Sequence, residues 1–359
     1  MRIRAERDDL VDVLSRAGRA VGTRSPLPIL QGVLVEVTGK TMRVTGTDLE
    51  VTVKTELEVE TIEEGQTVIP SRLATEAVRK LPPGAVVLEA KEGEIEITGG
   101  GPRFRFRELS VDEFPKIEEP DMSVAVGVDG DAFGEALRQV MVAASTDDAR
   151  PILTGVFFEH EEGKLRLVAT DSYRLAVRDV PAVDADLSGL VPVRALKELG
   201  RSVGASELQV AVGGREAIFS SSRGTLTARV IEGTFPNYRQ LIPESYPSRL
   251  RVSREALLAA IDRASLVAED HIPIRLALSS GGVELSVSRQ DVGGETEHVE
   301  GEYSGEEMII AFNSRYLNDG VNAVEEETVV LDVLDPLKPG VLRGGEGEDF
   351  LYLLMPVRL

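Results

Sequence analysis

The sequence of 359 residues contains no cysteine and no tryptophan, and aromatic residues make up only 4% of it. Without cysteine the chain has no disulfides, thiolate metal ligands or cysteine nucleophile, a composition typical of intracellular proteins. It also lacks any apolar run of about 18 residues and any basic N-terminal segment followed by an apolar stretch. We therefore expect a cytoplasmic protein with no membrane partner.

Histidine is scarce as well, and the 40 lysine and arginine residues are outnumbered by 61 aspartate and glutamate residues. The net charge is −21, which disfavours simple adsorption to nucleic acid or anionic lipid. The three histidines, His160, His271 and His298, lack metal-ligand spacing, and none lies beside a serine nucleophile motif. We expect no metal, no cofactor and no catalytic residue.

An internal repeat organises the chain. Residues 28–48 (PILQGVLVEVTGKTMRVTGTD) and 151–171 (PILTGVFFEHEEGKLRLVATD) align without a gap at an offset of 123, and nine of 21 positions are identical. Upstream of each copy an apolar stripe predicts a helix, around Leu10 and Leu14 and around Phe133 and Leu137. Downstream, 68–81 (VIPSRLATEAVRKL) and 190–200 (LVPVRALKELG) each predict a strand that enters a second helix.

A third, fainter copy follows the first two. Residues 254–268, 272–291 and 310–324 repeat the first helix, the hairpin and the second helix. Asn318-Asp319-Gly320 lies inside the last of these, and since all three are poor helix formers we expect that helix to be irregular. The segments between helices alternate apolar with polar residues, as half-buried antiparallel strands do.

These patterns predict an α+β fold of three similar domains, each with two helices packed on an antiparallel sheet. The predicted domains are residues 1–121, 122–246 and 247–359. Such units could form a row or an arc, and a closed ring would leave no free sheet edge. The second helices carry local positive charge, which a solvated surface explains for any one helix. Its recurrence at equivalent positions favours a shared role.

Six segments, in order along the chain, resemble the bacterial sliding clamps, the beta subunits of DNA polymerase III. They are PLPIL (26–30), TGTDLEV (45–51), ATDSYRLAV (169–177), FPNYRQLIP (235–243), YSGEEM (303–308) and YLLMPVRL (352–359). The resemblance implies the DNA-clamp fold and a head-to-tail homodimer whose six domains close a ring, with helices inside and sheets outside. It also implies a non-catalytic processivity factor that encircles duplex DNA, slides along it and tethers the replicative polymerase.

A ring held by linkage needs only weak phosphate contacts that do not read sequence, so an acidic protein can still act on DNA. Opening such a ring would fall to a separate clamp loader, because the chain shows no nucleotide site. We expect the DNA contacts to come from basic residues of the inner wall, with Arg24 in the loop that matches the family's DNA-contacting loop most directly. The predicted DNA-binding residues are Arg24, Arg72, Arg79, Arg194, Lys197 and Arg201.

The resemblance implies a second site, a cleft between the second and third domains. In the family it takes short peptides with hydrophobic anchors from polymerases, the clamp loader and repair proteins. The matching positions are Leu153, Thr170, Ser172, Tyr173, Arg174, Leu175, Pro243, Leu337, Pro339, Leu353, Leu354, Met355, Pro356, Val357 and Arg358. Independently, Met355 is an adaptable side chain of the kind found on surfaces with many partners. Alternate residues of the same apolar run also suit a strand that completes the third sheet.

Three motifs have simpler explanations than the functions they imitate. TGKT (38–41) has Leu34 where a phosphate-binding loop requires glycine, so we expect a hairpin turn. DADLSG (184–189) has Ala195 where a calcium loop requires glutamate, so we expect a surface turn. RFRFR (103–107) interleaves aromatic residues with cations as nucleic-acid platforms do, but a strand with Phe104 and Phe106 inward and the arginines outward explains it at least as well.

Two other functions stay open from the residues alone. Asp48 and Asp171 could serve a carboxylate-based enzyme, although the recurrence of Thr-Asp in two copies favours a hydrogen-bonding cap at a hairpin turn. A repeat scaffold that binds peptides without encircling DNA would be a monomer. It would also not distinguish circular from linear DNA.

Overall fold

A computed structural model describes residues 1–22, 27–161, 163–180, 183, 185–202, 204, 206–268, 272–345 and 349–358. In these residues there are six α-helices, two for each copy of the repeat, as the sequence predicts. The helices are α1 (Arg7–Gly18), α2 (Ser71–Lys80), α3 (Gly130–Met141), α4 (Val193–Ser202), α5 (Arg254–Ser265) and α6 (Ser314–Ala323). Short 3₁₀ helices lie at Pro28–Gln31, Val111–Glu113, Pro151–Leu153 and Tyr238–Leu241.

Strands make up most of the remaining regular structure. Those of the first repeat are β1 (Arg2–Glu6), β2 (Gly32–Thr38), β3 (Thr41–Thr47), β4 (Val51–Glu58), β5 (Glu60–Glu63), β6 (Gly65–Pro70), β7 (Ala85–Lys91), β8 (Glu94–Thr98) and β9 (Arg103–Arg107). Those of the second are β10 (Val126–Asp129), β11 (Gly155–Glu161), β12 (Lys164–Thr170), β13 (Arg174–Val180), β14 (Gly189–Pro192), β15 (Glu207–Gly213), β16 (Glu216–Ser221) and β17 (Gly224–Arg229). Those of the third are β18 (Ser248–Ser253), β19 (Ile274–Ser279), β20 (Gly282–Arg289), β21 (Gly293–Ser304), β22 (Met308–Phe312), β23 (Thr328–Val333), β24 (Gly340–Gly344) and β25 (Phe350–Leu354).

The strands form three sheets, and two of the sheets combine strands from consecutive repeats. One sheet has the order β5-β1-β7-β8-β9. A second, β10-β15-β16-β17-β4-β3-β2-β6, is continuous because β17 pairs antiparallel with β4. The third, β14-β11-β12-β13-β25-β24-β23-β18-β21-β20-β19-β22, is continuous because β13 pairs antiparallel with β25.

The chain accordingly divides into two compact units that do not follow the repeat boundaries. One contains residues 1–134 and 194–230, and the other contains residues 135–193 and 231–359. In the first unit, Leu10 and Leu14 of α1 and Val78 of α2 pack with the inward residues of the sheet, such as Val35 and Val44. The apolar stripes found in the sequence are therefore core positions.

Helix α6 is regular, so the expected irregularity is wrong. It runs without interruption from Ser314 to Ala323, and its first turn is capped by the Asn313 side chain, which accepts a hydrogen bond from the Tyr316 amide at 3.0 Å. Gly320 is required by packing, because a Cβ at this position would lie 2.4 Å from a ring carbon of Tyr352. Close approach to Tyr352 thus outweighs the poor helix propensity of glycine.

The motifs set aside in the sequence fold largely as expected. TGKT forms the β2–β3 hairpin turn with Gly39 at φ +59°, and RFRFR forms β9, whose Phe104 and Phe106 pack on the core while its arginines are exposed. Of DADLSG, Asp184 lies outside the described residues. The C-terminal strand differs from expectation, because all five residues of β25 are buried and not alternate ones. Both faces of β25 are covered, because α6 packs on Tyr352 and an apolar cluster contains Leu351 and Leu353 on the alternate positions.

Candidate functional site: a peptide-binding groove and two basic helices

Two equivalent hairpin turns of the repeat lie where strands of consecutive repeats pair. We call the β4–β17 pair with the turn Asp48–Val51 the first junction, and the β13–β25 pair with the turn Asp171–Arg174 the second junction. In the second, Asp171 Oδ1 accepts hydrogen bonds from the amides of Tyr173 and Arg174 at 2.9 and 3.0 Å. Thr170 Oγ1 donates to the Arg174 carbonyl at 2.7 Å. These bonds fix the turn and leave Ser172 and Tyr173 exposed.

The chain that follows β25 is fixed beside this turn. Leu353 lies opposite Leu175 in the sheet, and beyond the strand the Met355 amide donates to the Tyr173 carbonyl at 2.9 Å. The Val357 amide donates to the Ala311 carbonyl at 2.8 Å. The Met355 side chain is 40% exposed, and the Tyr173 side chain is 58% exposed. Two large apolar side chains therefore stand at the surface where the backbone is held in place.

An apolar cluster lies beside the same strands. Phe157 and Phe235 stack with ring centroids 5.0 Å apart, and Ile242 and Tyr246 pack partly buried against it. Its buried members are Val168, Leu175, Val177, Tyr238, Val341, Leu351 and Leu353. A depression of 190 Å³ opens between Ile242 and Leu351 and is rimmed by Arg166, Arg239 and Arg343. This surface offers apolar contact with charges around it, which suits a short peptide with hydrophobic anchors.

The predicted cleft residues separate into buried and accessible groups. Those of the buried group, which form a floor, are Leu153, Thr170, Arg174, Leu175, Leu353 and Leu354. Those that are half-buried or exposed are Ser172, Tyr173, Pro243, Leu337, Pro339, Met355, Pro356, Val357 and Arg358. The structure brings 170–175 and 353–357 together directly, and Pro339 adjoins Gly340, which lies opposite Leu354. Pro243 follows Ile242 of the apolar cluster, and Leu153 ends a 3₁₀ helix.

Sequence reasoning missed a polar cluster beneath the second junction. This arginine cluster consists of Asp171, Arg174, Tyr316, Asp319 and Tyr352. The Arg174 guanidinium donates to Asp171 at 3.0 Å, to Asp319 and to the Tyr352 hydroxyl at 3.2 Å, and it lies 4.3 Å from the Tyr316 ring centroid. The signal was an arginine inside the apolar run of β13, because such a residue is buried only when it is paired.

Burial has opposite effects on the two central members of the arginine cluster. It raises the pKa of the Tyr352 hydroxyl, which is held neutral. It lowers the pKa of the Arg174 guanidinium, but Tyr352, Asp319 and Asp171 outweigh this and the net direction is upward. Both shifts keep Arg174 charged and Tyr352 neutral over the physiological pH range.

The first junction repeats the turn with different side chains. Asp48 Oδ1 accepts hydrogen bonds from the amides of Glu50 and Val51 at 3.1 and 2.8 Å, as Asp171 does in the second copy. The other oxygen of Asp48 pairs with Arg194 at the start of α4. Both carboxylates are occupied by turn and ion-pair contacts, which confirms the hairpin-cap interpretation of the Thr-Asp pair.

The predicted DNA-binding residues lie on the exposed sides of α2 and α4, in one compact unit. The side chain of Arg72 is 88% exposed and pairs with Glu76 within the helix at 3.1 Å, and Arg79 donates to Ser15 at 3.3 Å. Arg194 is 59% and Arg201 is 61% exposed, and Lys197 is exposed on the same helix. Arg24 lies outside the described residues. Surface ion pairs of this kind are weak, so these cations stay available to phosphate.

In the part of the chain that the structure describes, no group of three or more histidine, aspartate or glutamate side chains is placed to hold a metal ion. Among the same residues no helix is long and apolar enough to cross a membrane. Neither finding adds a site to the groove and the basic helices.

Comparison with known proteins gives one consistent result. Sequence models of the DNA polymerase III beta subunit match its N-terminal domain at residues 1–118, its central domain at 127–237 and its C-terminal domain at 239–358. The beta sliding clamp of Streptomyces coelicolor is 32% identical over 376 aligned residues, covering 100% of both chains. That of Synechocystis is 31% identical with the same coverage.

Solved structures agree with the sequence comparison. The DNA polymerase sliding clamp of Bacillus subtilis has a TM-score of 0.95 at 27% identity and covers 100% of this chain and 99% of that one. A sliding clamp of Bartonella birtlesii bound to griselimycin has a TM-score of 0.94 at 29% identity and covers 100% of both. The three-domain clamp fold is thus present over the whole length. The chain belongs to the DNA polymerase III beta subunit family, the beta sliding clamps.

Proposed function

We propose that this chain forms a ring that encircles duplex DNA, slides along it without reading sequence and tethers the replicative polymerase as a non-catalytic processivity factor. The observation that carries the proposal is that each repeat pairs with the next one through one strand from each. At the first junction β4 of the first repeat pairs with β17 of the second, and at the second junction β13 of the second repeat pairs with β25 of the third.

The same rule leaves one pair of complementary edges for another copy of the chain. In the described residues, β9 is paired only with β8, and residues 293–300 of β21 are paired only with β20. These two edges belong to the first and third repeats. Head-to-tail pairing of two copies would satisfy both edges twice and close six domains into a ring.

Charge and apolar surface support this closure. The β9 edge carries Arg103, Arg105 and Arg107, whereas the free part of β21 carries Glu295, Glu297 and Glu300. Oε2 of Glu295 is buried with no hydrogen-bond partner in the described part of the chain, as a group that awaits a donor from another protomer would be. Leu73 on α2 and Leu266 after α5 are 55% and 86% exposed, and both would be covered in a dimer.

DNA contact is assigned to the basic helices. We propose that Arg72, Arg79, Arg194, Lys197 and Arg201, together with Arg24, meet the phosphates at the inner wall. Because the closed ring stays on DNA by encircling it, each phosphate contact can be weak and sensitive to salt. Replacing one of these residues with alanine should reduce the slope of log affinity for DNA against log salt concentration by about one.

Partner binding is assigned to the second junction. We propose that peptides with hydrophobic anchors, from the polymerase III alpha subunit, other polymerases, the clamp loader and repair proteins, dock in the groove over the predicted cleft residues. We also propose domain boundaries at 1–121, 122–246 and 247–359; the three domain models, at 1–118, 127–237 and 239–358, support the number and order of the domains. A replication factor of a bacterial chromosome works in the cytoplasm.

The test is retention on DNA after loading onto a nicked circle by a clamp loader, with gel filtration before and after the circle is cut once. We expect a dimer in solution, co-elution with the circle and release on linearisation. Retention on both circular and linear forms would mean ordinary contact binding and would overturn the ring, as would a stable solution mass of one chain.

A further inference from the structure

The Arg174 guanidinium lies beneath the second junction and is engaged by other side chains of the protein. Its side chain is only 6% exposed, and its Nε and Nη1 atoms donate to Asp171, Asp319 and the Tyr352 hydroxyl. The arginine cluster can therefore also affect peptide binding through the neighbours of Arg174.

One such path leads to the surface. Arg174 lies 4.3 Å from the centroid of the Tyr316 ring, and that ring stacks on Tyr173 with centroids 6.4 Å apart and planes inclined by 26°. The Tyr352 hydroxyl donates to the Tyr316 carbonyl at 3.1 Å, which fixes the backbone that carries the ring. Tyr173 is the exposed wall of the groove, and its carbonyl also holds Met355. The contacts therefore run from Asp319 to Arg174, from Arg174 to the Tyr316 ring, and from Tyr316 to Tyr173 at the surface.

The first junction shows that pairing the strands does not require such a cluster. In that turn Val51 occupies the position of Arg174, since the Asp48 amide donates to the Val51 carbonyl as the Asp171 amide donates to the Arg174 carbonyl. The β4–β17 ladder forms without a buried cation at this place. Burying charges costs free energy that apolar packing would avoid, so the cluster at the second junction calls for a role beyond folding.

Asp319 is the acidic member of the cluster that comes from α6. Its carboxylate is 28% exposed and accepts from Arg174, whereas Asp171 belongs to the same turn as Arg174. Without Asp319 the guanidinium would keep Asp171 but lose the contact that draws it across the Tyr316 ring.

We propose that Asp319 is a positioning residue of the peptide groove, which holds Arg174 against Tyr316 and so fixes the Tyr173 wall in its binding position. The inference rests on the proposed peptide-binding function. Asp319 itself touches no peptide. Its effect must therefore disappear when the Tyr173 side chain is removed.

The experiment is a double-mutant cycle on the full-length protein. The probe is a short fluorescein-labelled peptide from the C-terminal tail of the cognate replicative polymerase, and the measurement is its dissociation constant by fluorescence anisotropy. We expect Asp319→Asn to weaken binding about fivefold, the scale of one charge-assisted hydrogen bond. Tyr173→Ala should weaken it about tenfold, and the double variant should bind no worse than Tyr173→Ala alone.

Two further variants separate positioning from general damage. Asp12→Asn is the matched control, because Asp12 pairs at 2.7 Å with Arg16, whose side chain is 10% exposed, and both residues lie in the other compact unit. It should leave peptide affinity unchanged. Asp319→Glu keeps the carboxylate and should bind within about twofold of the parent chain. Melting temperature and dimer mass are measured for each variant.

The outcomes are distinct. Unchanged affinity in Asp319→Asn, or losses that multiply to about fiftyfold in the double variant, would overturn the role of Asp319 while leaving the groove in place. Equal losses in Asp12→Asn and Asp319→Asn would reduce the effect to general destabilisation. Absence of peptide binding by the parent chain would overturn the proposed peptide function together with this inference.

Discussion

The two junctions share a backbone and differ in what they present. The second residue of each turn has a positive φ, +77° at Leu49 and +83° at Ser172. In each, a residue at the C-terminal end of the paired strand donates its amide to the carbonyl of the third turn residue at 2.9 Å: Arg229, the last residue of β17, to Glu50, and Met355, just after β25, to Tyr173. The repeat therefore reproduces hydrogen bonds as well as sequence.

The side chains at the shared positions differ in kind. At the first junction Glu50 and Arg229 form an exposed ion pair at 3.9 Å. At the second, Tyr173 and Met355 present apolar surface over a buried arginine. A duplicated scaffold thus supplies two equivalent places, and a few substitutions make only one of them suitable for hydrophobic peptide anchors.

The largest effect is expected when the charged pair of the first junction replaces the apolar pair of the second. The double variant Tyr173→Glu with Met355→Arg should lose peptide binding by about 100-fold, because two apolar anchor contacts are replaced by hydrated charge. Backbone bonds at the junction are kept, so the dimer mass should not change. Fluorescence anisotropy with the polymerase-tail peptide measures the loss, and near-parental affinity would contradict the assignment of the groove.

Close packing under the second junction should respond strongly to a single methyl group. Gly320→Ala places a carbon against Tyr352 and should destabilise the chain by about 2 kcal/mol, although alanine is the better helix former by about 1 kcal/mol. Urea unfolding followed by circular dichroism measures the change. The matched control is Ala77→Gly, at the seventh position of α2 as Gly320 is of α6, and it should cost about 1 kcal/mol. A more stable Gly320→Ala chain would refute the packing argument.

A third junction, between protomers, should depend on pH through Glu295. Burial and Glu297 raise the pKa of the Glu295 carboxyl in the single chain, and an arginine edge of the partner would lower it. The dimer then binds fewer protons, so this part of its stability is present above the raised pKa of the single chain and is lost as the pH falls towards the lower pKa of the dimer. On acidification from neutral pH the dissociation constant should rise roughly threefold, measured by analytical ultracentrifugation.

Glu295→Gln is the control for that measurement. It should remove the pH dependence and leave a dimer slightly weaker at neutral pH. Glu297 does not share the effect, since its pKa is lowered by the hydrogen bond to Arg263. A pH slope that persists in Glu295→Gln would assign the effect to another group.

The smallest effect is expected for the reverse transfer. Glu50→Tyr with Arg229→Met gives the first junction the apolar pair of the second, and removing an exposed ion pair should change stability by less than about 0.5 kcal/mol. Peptide affinity should not rise, because Val51 supplies no counterpart of the arginine cluster. Titration of the polymerase-tail peptide that revealed a second binding site per chain would show that the surface pair alone is sufficient.

Much of the fold was accessible from local pattern. The repeat at 28–48 and 151–171 predicted equivalent turns, and Asp48 and Asp171 do cap them in the same way. The alternation in RFRFR predicted the inward phenylalanines of β9. Periodicity reports which face of an element is buried, and that is sufficient to place helices and strands.

The apolar periodicity of a segment does not predict which other segments of the chain will cover its buried face. That β17 joins β4 and β25 joins β13 depends on contacts far apart in sequence, so the full burial of β25 was missed. Propensity likewise failed at Gly320, where one tyrosine ring decides the residue. The predicted cleft list was long because homology marks positions, whereas only the structure separates the floor at Arg174 from the accessible wall.

The pairing of β13 with β25 also means that β13 is synthesised well before the strand that covers its free edge. More than 160 residues separate the end of β13 from the start of β25. At a translation rate of about 5–20 residues per second, the nascent chain carries the open edge of β13 for roughly 10 to 30 seconds before its partner strand exists. Within β13, Arg174, Arg178 and Asp179 interrupt the apolar pattern, as charges do on edges that must not pair with a neighbour. We expect these three charges to oppose aggregation of the unfinished chain on the ribosome as well.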